Sequence, residues 1–399
     1  MWENLLDQML HKTMRRGRIE VTLASGRVLA HGDPQSPPIR VQVTDPDFAR
    51  KVIFNPDLAV AEAYMDGRLT IESDNLRGFL NLALEASEEP VIWFAKPLEY
   101  MHTALRRLTQ YAPVGKAQKN VAHHYDLSAK LYRLFLDEDQ QYSCAYFRTP
   151  EDSLELAQKQ KKDHIARKLL LKPGMRVLDI GCGWGGMALT LARDYGANVV
   201  GVTLSKEQYA IAVQRAKDEG LENQVEFRLI DYRKLSESFD RIVSVGMFEH
   251  VGLPHYREYF RSVHDLLRPD GIALIHNIGR PGVPSYTGKF IDRYIFPGGY
   301  IPSLSEEMTA IQKEGLIACD VEVLRIHYAE TLKHWDERFC ANIDKVREIY
   351  DERFCRMWRF YLIGSEMSFR TGMFDVFQIQ LSRKLNAVPL TRDYLYNPA

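Results

Sequence analysis

The stretch VLDIGCGWGGMALTLA, residues 177–192, constrains the fold more than any other part of the chain. Val177 to Ile180 make a short, mostly apolar strand, the glycines that follow make a tight turn, and the residues from Met187 onward start a helix. A strand that hands its carboxyl end to a glycine-rich turn and a helix N-terminus is the nucleotide-holding corner of an open α/β sheet. The glycines satisfy two patterns at once: Gly181, Gly183 and Gly186 give G-x-G-x-x-G, and Gly181, Gly183 and Gly185 give the looser G-x-G-x-G. Spacing alone does not say which nucleotide the turn holds.

The rest of the chain supplies the sheet. Strand-like runs NVVGVT, VEFRLI, RIVSVG, IALIHN and VEVLRIHY are separated by helical segments, and FDVFQIQLSR closes the chain as one more strand. That rhythm is a doubly wound α/β sheet. Upstream, Thr149 is a plausible N-cap, with Pro150 in the first helical position and Glu151 and Asp152 in the first turn. Between the last two strands, residues 329–371 form a helical insertion rich in charge and aromatic residues, placed where it could cover a pocket. Near the N-terminus, IEVTLASGRVL alternates around an Ala-Ser-Gly turn like a hairpin, and IRVQVTDPDFARKVIF adds a strand and a short helix. At 399 residues two domains are expected. The Pro-punctuated stretch up to residue 120 suggests a smaller α+β domain at 1–112 and the larger one at 113–399.

Composition excludes several functions. A net charge of −1 gives no overall pull toward nucleic acid. The five cysteines are an odd number without a C-x-x-C pair, and His123 and His124 lack ligand partners at useful spacing, so no metal is expected. MWENLLDQML carries acids where a signal peptide needs basic residues, and no apolar run approaches the roughly 18 residues of a membrane span. A reducing cytoplasmic setting is the expectation.

A dinucleotide site needs an acid at the end of the second strand to bind ribose hydroxyls. Here that strand ends at Thr203, and the acid nearest the turn is Asp179, which favours S-adenosylmethionine. Ser205 and Gln208 open the next helix; Gln208 either reaches the cofactor or returns to the helix N-terminus as half of an S-x-x-Q capping box. Asp231 and Tyr232 could grip the adenine, and Asp231 is equally readable as a loop cap.

Several separate stretches then resemble one family. AHHYDLSAKLYRLFLDEDQQYSCAYF, VLDIGCGWGG, GVTLSKEQ, DYRKL, FDRIVSVGMFEHVG, IHNIGR, FPGGYIPS and HYAETLKHW, in this order over residues 121–336, are similar to the cyclopropane-fatty-acyl-phospholipid synthases, the family that also contains the mycolic acid cyclopropane synthases. The resemblance implies a Rossmann-like class I methyltransferase fold, with a mostly parallel sheet and an antiparallel last strand. It also implies that Tyr142, Ser143, Thr203 and Gln208 contact S-adenosylmethionine, beside Asp179, Gly181, Gly183, Gly185, Asp231 and Tyr232.

Such enzymes add the methyl carbon of a sulfonium to a carbon–carbon double bond, a nucleophile with no proton to surrender in advance. Alignment, exclusion of water and an environment tolerant of a carbocation are what help. A proton must then leave the new methyl group so that the ring closes, and its acceptor must not itself attack the cation. The resemblance implies a bound bicarbonate held by Cys144, Glu249, His276, the backbone N–H of Ile278, and Tyr328. Taken alone, Cys144 reads as a small buried hydrophobe, His276 as a satisfied core histidine and Glu249 with His250 as a cap pair. Ser365 stands where many family members have cysteine, which leaves the activity plausible and the subtype open.

The implied substrate is a phospholipid with unsaturated acyl chains, so peripheral docking on the inner face of a membrane is expected. Trp2, Leu5, Leu6 and Met9 with the following basic cluster, and the aromatic-basic stretch Trp93 to Arg107, are the docking candidates; either could instead be an ordinary packed helix. The resemblance also suggests a homodimer. Competing readings are a same-family transfer that ends in a methyl-branched or methylated unsaturated chain, and a non-catalytic lipid- or cofactor-binding protein.

Overall fold

A computed structural model of the chain describes residues 1–87 and 129–396. The AHHYDLS stretch, His123 and His124, the Trp93 to Arg107 docking candidate and the expected domain boundary lie outside the described residues. The chain divides into two compact units: residues 1–105, 286–297 and 332–373 form one, and 106–285, 298–331 and 374–399 the other. The division is discontinuous. The helical insertion, assigned from sequence to the second domain, falls for the most part in the first unit.

In the first unit, Arg18–Thr22 (β1) and Val28–Gly32 (β2) form the expected hairpin, with Gly26 at φ +83° in its turn. Pro38–Val43 (β3) pairs parallel to β1, and Leu69–Ile71 (β4) completes the order β2-β1-β3-β4. Helix Trp2–Thr13 (α1) buries Leu6 and Leu10 and leaves Leu5 exposed. Arg77 joins the buried carboxylates of Asp336 and Glu366 at 3.0 and 2.8 Å, tying Leu76–Ser87 (α2) to the helices of the insertion.

The second unit holds a seven-stranded sheet. Its strands are Arg176–Ile180 (β5), Asn198–Thr203 (β6), Val225–Leu229 (β7), Phe239–Val245 (β8), Leu267–Gly279 (β9), Ile317–Val323 (β10) and Asp375–Ser382 (β11), in the order β10-β11-β9-β8-β5-β6-β7. β5 runs parallel to both β6 and β8, and β11 is antiparallel to β9 and β10. This is a class I methyltransferase fold, and the strand order reverses between β5 and β8. Alternation along β5 sends Leu178 and Ile180 into one apolar core and Val177 into the other, so the central strand is buried on both faces.

Two local expectations change. The helix expected from Thr149 begins at Leu154 (α3, Leu154–Lys168), and its N-cap is Ser153, whose hydroxyl accepts from the Leu156 N–H at 3.2 Å. The Asp152 carboxylate closes the preceding turn by accepting from the N–H groups of Arg148 and Thr149. The strand expected over VEVLRIHY lies upstream as IACDVEV: Arg325 takes a left-handed φ of +48°, and His327 already starts a helix, His327–Ala341 (α4).

Candidate active site

A cavity opens at the carboxyl ends of β5, β6 and β8, where the strand order reverses. Gly181 and Gly183 line it with φ of +82° and +53°, which an L side chain adopts only with strain. A Cβ on Gly181 would also stand 2.8 Å from Met247 Cγ. Gly185 does not line the cavity, contrary to expectation. It caps the following helix at φ +87°, and a Cβ there would lie 2.6 Å from Phe227 Cζ, so its smallness serves packing.

Of the other expected cofactor contacts, Tyr142, Ser143, Asp179, Thr203, Gln208, Asp231 and Tyr232 all line the cavity. Ser205 caps the helix Lys206–Asp218, accepting from the Gln208 N–H at 3.3 Å, but the Gln208 side chain does not complete a capping box. Its Oε1 accepts from the Thr203 hydroxyl at 3.1 Å, which leaves the amide NH₂ as the donor end. Asp231 is both cap and wall: it accepts from the Arg233 N–H at 3.0 Å and pairs with the Arg233 guanidinium at 2.9 and 2.7 Å. Asp179 is buried, and its Oδ2 has no hydrogen-bond partner. Burial pushes its pKa up to about 7 against the pull of the Lys161 ammonium.

None of the five expected catalytic residues lines the cavity. Cys144 follows Ser143, and Glu249 precedes His250; both neighbours are wall residues. Glu249 is buried, and its Oε1 accepts from the Ile278 N–H at 2.7 Å. That amide, expected to face a bound anion, is thus directed at a side chain. Glu249 Oε2 is buried without a partner, and burial, opposed by the Ile278 bond, raises the carboxyl to about 7. His276 sits two residues before Ile278 on β9; its carbonyl accepts from Gly246 N–H at 2.8 Å, and Gly246 lines the cavity. Its Nδ1 meets Gln378 at 3.1 Å, and burial with the nearby Lys161 and Lys168 cations drives its pKa well below the usual value. The Ala145 N–H donates to Thr331 Oγ1 at 3.0 Å, which joins the Cys144 segment to α4, one turn beyond the buried Tyr328. Burial pushes the Cys144 and Cys182 thiols up, so neither is poised as a thiolate nucleophile.

The likeness to known proteins is specific. Residues 114–379 match the model of the mycolic acid cyclopropane synthetase family. The chain belongs to this family. It is 40% identical to the cyclopropane-fatty-acyl-phospholipid synthase of Escherichia coli strain K12, over 87% of this chain and 89% of that one. It is 38% identical to a probable fatty acid methyltransferase of Pseudomonas putida, over 90% and 92%. A solved structure of mycolic acid cyclopropane synthase CmaA1, complexed with SAH and CTAB, superposes with a TM-score of 0.64 at 36% identity, covering 68% of this chain and 99% of that one.

This family member is an S-adenosylmethionine-dependent methyltransferase. Its cavity fits that cofactor on its own terms. Asp179 offers an unpaired buried acceptor for an ammonium, Gln208 a side-chain donor and Tyr232 a ring beside the buried Asp231.

Sequence reasoning missed Gly246 and Met247 in the wall, although both follow β8 directly and the strand-end rule would have found them. It also missed Glu307, a fully buried acid whose Oε1 accepts from Asn277 Nδ2 at 3.0 Å, directly behind Ile278. Among the described residues, no three His, Cys, Asp or Glu side chains cluster as a metal site, and no helix is long and apolar enough to cross a membrane.

Proposed function

We propose that this enzyme transfers the methyl carbon of S-adenosylmethionine to the double bond of an unsaturated phospholipid acyl chain and closes a cyclopropane ring. The observation that carries the reading is Glu249: a buried carboxyl, fixed at one oxygen by the Ile278 N–H and unpaired at the other, beside the cavity wall. When bound, the cofactor supplies the electrophilic methyl carbon.

The chain's own residues do the rest. With Oε1 accepting from Ile278, the proton of the neutral Glu249 resides on Oε2, which makes that atom a donor to a small oxyanion near neutral pH. Two charged anions would repel in such a buried place; a neutral acid and one anion do not. Cys144, Glu249, His276, Ile278 and Tyr328 would hold bicarbonate, which would supply the base for the proton released as the ring closes. His276 is held neutral by its burial, so it adds no positive charge beside a developing carbocation. The burial of Cys144, Glu249, His276 and Tyr328 excludes water that would otherwise trap the cation.

A lipid surface is reached, in this reading, through α1. Met1, Leu5 and Phe54 are exposed, and Trp2 packs edge-on against Phe54 at 5.7 Å. Leu6, assigned from sequence to the docking face, is instead buried in the unit's own core.

A second reading, the same transfer with a methyl-branched or methylated unsaturated product, is favoured by the relative named a fatty acid methyltransferase. Expression in a bacterial host lacking cyclopropane fatty acids tests the main reading. Ring-bearing acyl chains, recognised by proton NMR, are expected; unchanged fatty acids would overturn it.

A further inference from the structure

The polar face of α3 is turned inward. Gln158 and Lys161, one helical turn apart, are both fully buried. Gln158 Nε2 donates to the carbonyl oxygens of Ser143 at 2.9 Å and Gln141 at 3.3 Å. Lys161 Nζ donates to Gln141 Oε1 at 2.7 Å and Ser143 Oγ at 2.8 Å. Gln141 and Ser143 line the cavity, and Lys161 stands behind them.

This arrangement sets a polarity. A protonated lysine only donates, so Ser143 Oγ accepts from it and keeps its one O–H proton for another acceptor. Gln141 is tied down at both ends of its amide, with Oε1 accepting from Lys161 and one of its two Nε2 protons given to Asp139 Oδ2 at 3.0 Å, whereas the Ser143 hydroxyl proton is left for a bound group. In the same wall, Asp179 presents a buried oxygen with no partner. One end of the cavity therefore offers a hydroxyl donor backed by a cation, together with a carboxylate acceptor. Those are the complements of an amino acid's carboxylate and ammonium.

We propose that Lys161 is a positioning residue for the amino-acid end of the cofactor, orienting the Ser143 hydroxyl to donate to its carboxylate. The proposal rests on the reading that the adenosine end lies toward Asp231 and Tyr232. Lys161 acts through Ser143 and does not touch the cofactor.

The charges around Lys161 make its action depend on pH. Burial pulls its pKa down to about 8, with Asp137 and Asp139 raising it and Lys162 lowering it further. The Cys144 thiol, Asp179 and His276 share its field. Above that pH the neutral amine becomes an acceptor, the Ser143 proton turns toward it, and the donor aimed into the cavity is lost.

Calorimetric titration of the full chain with S-adenosylhomocysteine and with 5′-methylthioadenosine, which lacks the amino-acid end, tests this. Lys161→Met is expected to weaken S-adenosylhomocysteine by about 10- to 100-fold and 5′-methylthioadenosine by less than about 2-fold. Ser143→Ala should reproduce that split, and the double variant should add little, because both remove one interaction. The wild type should lose S-adenosylhomocysteine affinity as pH rises through 8 more steeply than either variant. Equal weakening of both ligands by Lys161→Met would mean a general structural role and overturn the proposal, as would an unchanged split. Should Lys161→Met not fold, Ser143→Ala with the same ligands and pH series decides alone. Failure of the wild type to bind either ligand would instead remove the cofactor reading beneath it.

Discussion

The two ends of the active-site region treat their polar groups in opposite ways. At the end proposed to hold adenosine, Asp231 is closed on Arg233, and Thr203 on Gln208, so burial is compensated inside the chain. Around the rest of the site, Asp179, Glu249 and Glu307 each keep a buried carboxyl oxygen without a hydrogen-bond partner, and burial raises the pKa of all three. Unpaired buried oxygens are rare in native proteins because each costs roughly 1–3 kcal/mol. Asp179 lines the cavity and Glu249 adjoins its wall, so both are placed to meet a bound group. The first end is built to shape, the second to charge.

That contrast can be broken most severely at Glu249. Glu249→Gln keeps the shape and the contact to Ile278 but removes the acid, so product formation should fall by about 10²- to 10³-fold. S-adenosylhomocysteine binding should stay within about 2-fold, as read by calorimetry. Retained turnover would take Glu249 out of the chemistry.

Stability against pH sharpens the contrast next. An acid whose folded pKa is raised stabilises the fold fully below its unfolded pKa, and that contribution is lost as pH rises through the folded value. For Asp179 and Glu249 the loss runs from about pH 4 to about pH 7. Asp179→Asn and Glu249→Gln should therefore gain on the ligand-free wild type across that window, by up to about 3 kcal/mol in urea unfolding at pH 8. The opposite sign would mean that these carboxyls are paired after all.

At the adenosine end the same class of change should do harm. Asp231→Ala leaves the half-buried Arg233 with only its longer contact to Glu258 at 3.6 Å and removes a cap, costing about 2 kcal/mol of stability, and it should weaken 5′-methylthioadenosine. Smallest is Gly183→Ala, where no atom lies within 4 Å of the added Cβ and only the φ of +53° is strained. About 1 kcal/mol is expected from thermal melts.

The shape-built end was the more legible from sequence. A strand, a glycine turn and a helix N-cap are local patterns, and they point to Asp179, Gly181 and Gly183 without knowledge of the fold; Thr203 and Gln208 rest on the family resemblance, and Asp231 is locally just as readable as a loop cap. Where local signals compete, a neighbouring turn decided the outcome: Asp152 closes on the N–H groups of Arg148 and Thr149, which leaves Ser153, not Thr149, as the cap. The charge-built end was harder to read. LELAQKQKKDHIARK has the composition of a solvated helix, yet Gln158, Lys161 and Lys168 are wholly buried. No periodicity reports that a lysine points inward toward Ser143, because that depends on a loop brought over it from another part of the chain. Glu307 escaped for the same reason: its partner Asn277 lies thirty residues away on a different element.

Ring closure requires a proton to leave the transferred methyl group, and that loss is directly countable. Purified enzyme, vesicles of mono-unsaturated phospholipid and S-adenosylmethionine carrying a trideuterated methyl group should give a cyclopropane in which each transferred carbon has lost one deuterium, read by mass spectrometry with NMR of the ring. A product that keeps the whole trideuterated methyl group, or lipid left without the added carbon, would contradict the account.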